Sequence, residues 1–151
     1  MIDGGLAHAK HVLIGSATEQ ILPFAHIQFK NRPDSIMPMP WHDEREKAAM
    51  IGALRLAFKF YRPSVANYMI ISEAWLAKYD HLPRDGMVMP VDREDKKECV
   101  IVTAGDHDGA RMKVWEIIRD GEGKVTDLVE AKNALDQLAG RMFNLMNDED
   151  A

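Results

Sequence analysis

The chain has 151 residues, 46% of them hydrophobic and 28% charged, with a formal net charge of −5. That balance excludes a disordered or fibrous class and fits one globular domain over residues 1–151 with a single core. The acidic charge disfavours a duplex-binding surface, and Cys99, the lone cysteine, rules out an internal disulfide and a thiolate zinc cage.

The opening stretch "MIDGGLAHAKHVLIGSATEQ" lacks a basic segment followed by an apolar one, so no secretory signal is expected and the cytoplasm is the expected address. No run approaches the roughly 20 apolar residues of a membrane helix, so no membrane association is expected. Leu6, Ala9, Leu13, Ala17 and Ile21 recur at helical spacing and predict an amphipathic helix over about residues 5–20, stopped by Pro23. "FAHIQFK" follows as a short strand, and "NRPDSIMPMP", with three prolines, reads as an extended loop.

Asp43 and Glu46 form a D-x-x-E cap at the head of "DEREKAAMIGALRLAFKFY". Ala48, Ile51, Leu54, Leu56 and Phe58 give this segment a broad apolar face, and it is expected to be helical to about Tyr61. Val65 to Lys78 reads as one long strand, "ECVIVTA" as the next and "ARMKVWEIIR" as a third, the last two joined by the turn "GDHDG". After "DGEG", the segment "KVTDLVE" reads either as a fourth strand of this meander or as the start of the last helix. Ala134, Leu135, Leu138, Met142 and Leu145 mark that helix, ahead of an acidic tail over 146–151. The expected fold is α+β, in the order α-β-α-β-β-β-β-α: an antiparallel sheet of four to five strands with three helices.

In the Val65–Lys78 strand, Tyr68, Ile70, Ala74 and Leu76 point one way, while Met69, Ile71 and Trp75 point the other. Both faces are partly apolar, so cover is expected on the second face as well as the first. A homodimer is the expected source of that cover, with helices of the same chain on both faces as the alternative.

Phosphate-loop, dinucleotide-fold, H-E-x-x-H and G-x-S-x-G signatures are absent. "DGEGKV" has no helix behind it to serve a phosphate. His8 and His11 lie three apart without an acid ligand, and in "WHDE" a helix cap accounts for the acids beside His42. Asp106, His107 and Asp108 form the most compact polar cluster, the candidate metal set, with His107 a candidate acid or base. Aspartates favour such turns for backbone reasons alone, and a solvated turn is the expected reading. No cofactor is expected. Cys99 sits in a β-prone run with no histidine near it in sequence, as a packed thiol would.

Glu73 is the residue most at odds with its surroundings, a carboxylate on the Met69–Ile71–Trp75 face of an apolar strand. It is a candidate general base if isolated and buried. The favoured reading is an ion pair that registers the strand, with Arg93, Arg111, Lys113 and Arg119 as possible partners.

"ISEAWLAKYD" followed by "MPVDREDKKECVIV" resembles a group of small uncharacterised bacterial and phage-borne proteins with an E-A-W strand and a P-D-R-x-E stretch. Val91 interrupts the Pro90–Asp92 step. The resemblance implies no activity, and groups Glu73, Trp75, Asp92 and Arg93 as a set to test for binding.

Three functions follow as expectations. The first is a non-enzymatic binding or accessory module acting on another protein through a sheet face or through "PDSIMPMPW", which would offer Met37, Met39 and Trp41. The second is a small metal-dependent or acid–base enzyme using Glu73 with Asp106, His107 or Asp108, which requires those groups to converge. The third is a single-stranded nucleic-acid binder using Lys30, Arg32, Lys59 and Arg62 with Phe29, Phe60 and Tyr61, which the net charge disfavours.

Overall fold

The computed structural model describes residues 1–76 and 96–131. In chain order these form α1 (Ile2–Leu13), β1 (Phe24–Phe29), β2 (Ser35–Pro38), α2 (Glu44–Tyr61), a single 3₁₀ turn (Arg62–Ser64), β3 (Val65–Leu76), β4 (Lys97–Asp106), β5 (Gly109–Arg119) and β6 (Val125–Glu130). The strands make one six-stranded sheet, order β2-β1-β3-β4-β5-β6, and every neighbouring pair is antiparallel.

The α+β class is as expected, with one antiparallel sheet. The counts differ: there are six strands, and two α-helices among the described residues. The added strand is β2, inside the proline-rich stretch read as a loop. Its pairs, Ala25 with Met37 and Ile27 with Ser35, put it on the sheet edge, where the missing N–H of Pro38 costs no ladder bond. "KVTDLVE" is strand, not helix start: Leu128 pairs with Ile117. The expected terminal helix over 134–145 lies outside the described residues.

Helix α1 stops at Leu13, earlier than its apolar spacing suggests. Gly15, at φ 84°, turns the chain onto β6, where Gly15 N–H donates to Val125 O at 2.8 Å and Val125 N–H to Ser16 O at 2.9 Å. Helix α2 begins as expected. Asp43 Oδ1 accepts the Glu46 N–H at 2.7 Å, and Glu46 Oε2 accepts the His42 N–H at 2.7 Å.

Both sheet faces carry helices, which corrects the reason for expecting a dimer. One core packs Ile51, Leu54 and Phe58 of α2 on Ala25, Ile27, Tyr68 and Ile70. The other packs Ala9 and Leu13 of α1 on Met69, Ile71, Val100 and Val102, with Trp115 and Leu128 closing it. Two-faced apolar strands are explained within one chain.

Candidate functional site

Glu73 stands on the α1 face of β3, opposite Val100. Its Oε1 accepts the backbone N–H of Ile21 at 2.8 Å. The expected ion pair is thus replaced by a backbone bond from the segment that follows α1. Among the basic residues considered, Arg119 turns instead to Glu98, with Nε 2.6 Å from Oε2 and Nη2 3.2 Å from Oε1, and gives Nη1 to Gly123 O at 2.8 Å. Arg93 and Asp92 lie outside the described residues. Burial raises the Glu73 carboxyl above its ordinary value, the Ile21 N–H opposes that, Glu98 adds to the rise and Arg119 lowers it. Trp75, 41% exposed, has Lys96 Nζ 4.6 Å from its ring centroid.

The "GDHDG" turn lies at the other end of the sheet. Val100 faces Glu73, whereas Asp106 ends the same strand, roughly 20 Å away at about 3.3 Å per residue. Glu73 and the turn do not converge. Asp106 Oδ1 accepts the Asp108 N–H at 2.8 Å, and His107 Nε2 lies 2.8 Å from Val65 O. The Asp106 side chain thus braces the hairpin backbone. Among the described residues no group of three His, Cys, Asp or Glu side chains is arranged to hold a metal. His8 stacks edge-on to Phe24 with centroids 5.2 Å apart. Around the hairpin runs an open cleft of about 1200 Å³. Its lining includes Tyr68 and Met112 from one sheet face and Ala104 and Lys113 from the other, so it surrounds the hairpin and does not form a chamber.

Cys99 is fully buried, its Sγ 3.3 Å from Ala74 O, and burial pushes the thiol up to about 12. It is a core thiol. "PDSIMPMPW" presents less than expected: Met39 is buried, and Met37 and Trp41 pack partly buried against the α2 core.

Two surfaces were missed by periodicity. The first is the outer face of α2. Leu56, counted toward the core by its hydrophobicity, is 70% exposed, and Phe60 on the next turn is 77% exposed. Ala49, Gly52 and Ala53 continue this exposed stripe toward the helix start. Residues 49, 52, 53, 56 and 60 share one side at 100° per residue, which a single plot of spacing shows once the core side is known. The second is a pocket of about 320 Å³ between β1, β2 and α2, with Arg32 at its rim. There the Arg32 guanidinium carbon lies 3.7 Å from the Phe29 ring centroid and 5.0 Å from that of Tyr61, and Phe60 meets Tyr61 edge-on at 4.9 Å.

No helix among the described residues is long and apolar enough to cross a membrane. No family model, curated protein or solved structure matches this chain.

Proposed function

We propose that the protein is a non-enzymatic binding module whose interface is the outer face of α2, and that its occupant is the α2 of a second copy. The observation that supports this reading is the exposure of Leu56 and Phe60, 70% and 77%, in line with Ala49, Gly52 and Ala53. Contiguous exposed apolar surface, as distinct from single exposed residues, is the kind that marks an interface. The stripe is also self-complementary. Its first half is small and its second half large, so an antiparallel copy related by a two-fold near Gly52 and Ala53 sets Leu56 against Ala49. The same arrangement brings the acidic cap residues Asp43 and Glu46 toward Lys59 of the partner, and opposes the two helix dipoles.

A single helix pair buries less than the roughly 1,600 Å² of a standard interface, so the dimer is expected to dissociate on dilution. Sedimentation velocity over a concentration series tests it. The expected result is a monomer–dimer equilibrium in the native chain, shifted to monomer by Leu56→Glu and by Phe60→Glu. A native chain that sediments as monomer at every concentration overturns self-pairing.

A second reading, single-stranded nucleic-acid binding, draws support from the Arg32–Phe29–Tyr61 stack, with Lys30 beside it in the chain. Salt-dependent retention of a short oligothymidine would be its signature. The enzyme alternative needs Glu73 and the "GDHDG" turn in one cleft, and the register of β3 on β4 sets them at opposite ends of the sheet.

A further inference from the structure

The pocket between β1, β2 and α2 is separate from the outer face of α2. It opens on the opposite flank of that helix, where Leu54, Ala57 and Phe58 look toward the sheet. Its floor is apolar, contributed by Ile27, Met37, Leu54, Phe58 and Val65. At about 320 Å³ it lies at the small end of the range that holds discrete ligands, about 300–1,000 Å³. The polar groups are few: the Arg32 guanidinium, the Ser35 hydroxyl and the Tyr61 phenol all belong to the lining.

Arg32 carries the charge argument. Asp34, its nearest acid in the chain, is engaged elsewhere, 2.8 Å from His26 Nε2 and accepting from Gln28 Nε2 at 3.2 Å. No carboxylate pairs with Arg32 among the described residues, and its guanidinium lies against the faces of Phe29 and Tyr61. Contact with ring faces does not use up the N–H donors of the guanidinium, so they are available to a ligand in the pocket that Arg32 lines. A planar cation with open donors, above an apolar floor, matches a carboxylate on an apolar body.

We propose that this pocket binds a small amphipathic carboxylate, its apolar body seated against Leu54, Phe58 and Val65 and its carboxylate held by Arg32. Ser35 and Tyr61 sit beside that carboxylate as further donors. The acid neutralises Arg32 as it covers the apolar floor, so both halves of the ligand contribute. This does not depend on self-association through α2.

The test is isothermal titration of the full chain with sodium octanoate and, separately, with 1-octanol, which has the same body without the charge. Octanoate is expected to bind one to one and roughly tenfold or more tighter than octanol, the scale of a hydrogen-bonded charge. Arg32→Ala is expected to remove the preference for octanoate over octanol. Ala57→Leu, which fills the pocket, is expected to weaken both; if that variant misfolds, the Arg32→Ala comparison decides alone. Equal affinity for the two probes, octanoate binding indifferent to Arg32→Ala, or no binding of octanoate overturns the proposal. So does an Arg32-dependent hold on oligothymidine in the absence of octanoate binding, which transfers this corner to nucleic acid.

Discussion

Glu73 Oε1 accepts the Ile21 backbone N–H at 2.8 Å, tying β3 to the segment after α1 across 52 positions of the chain. The acid therefore accepts from a buried backbone donor, Ile21 being 4% exposed. It does so at a cost, because burial disfavours its charge.

That conflict gives stability a pH dependence. The folded carboxyl titrates above its ordinary value, so between the two values the native state holds more protons than the unfolded chain. The contribution is complete below the ordinary value and is lost as pH rises through the raised one. Urea midpoints measured from about pH 4 to about pH 7 are expected to carry this downward component in the native chain and to lack it in Glu73→Gln. The glutamine keeps an acceptor for Ile21 without the charge. Glu73→Ala removes the acceptor and is expected to cost about 1 kcal/mol. A Gln variant with the native pH profile would falsify the assignment of that component to Glu73.

Tyr68 and Gly105 face each other across β3 and β4, and the phenol ring lies over the glycine. A Cβ at residue 105 would stand 2.7 Å from the Tyr68 hydroxyl oxygen and 2.9 Å from its ring carbons. Tyr68 is itself 1% exposed and meets Phe58 at a tilt of 53° with centroids 4.9 Å apart, a contact that its ring would have to give up to move aside. Gly105→Ala is expected to lower stability by about 1–3 kcal/mol through overpacking. A thermal melt within error of the native chain would show that the ring moves aside freely.

Much of this fold was legible because local signals agreed with the tertiary structure. The Asp43 cap, the strand parity of Met69 and Ile71, and the aspartate turn at Asp106 each follow from residue type and spacing. What was misread depended on a distant partner. Ile36 and Met37 become strand only because β1 offers an edge, and α1 ends at Leu13 because β6 captures Gly15 and Ser16. The partner of Glu73 is a backbone N–H, and no side chain in the sequence advertises it. Leu56 reads as a core residue from its hydrophobicity, which alone does not say which side of a helix finds a sheet.

Cys99 should be inert in the folded protein. Its thiol, pushed up to about 12 by burial, carries almost no thiolate near neutral pH, and reagent cannot reach a side chain with no exposed surface. Labelling with an aromatic disulfide reagent is expected to proceed only in denaturant, at the rate of unfolding. Rapid labelling of the native chain at about pH 8 would contradict the packing of β3 on β4 at Ala74.

Thr103 offers the opposite kind of test, a change expected to stabilise. It is 1% exposed, and its hydroxyl has no hydrogen-bond partner among the described residues. It stands opposite Ile70 on β3 and Met112 on β5, both buried apolar residues. A desolvated hydroxyl without a partner is a net cost, whereas a methyl in the same place fills the space and wants no partner. Valine also keeps the β-branched shape that suits a central strand. Thr103→Val is therefore expected to raise the urea midpoint, by about 1 kcal/mol of stability, with an unchanged slope. If the variant is instead destabilised, the threonine hydroxyl is satisfied in solution, and the interior of the sheet at this point is wetter than its packing indicates.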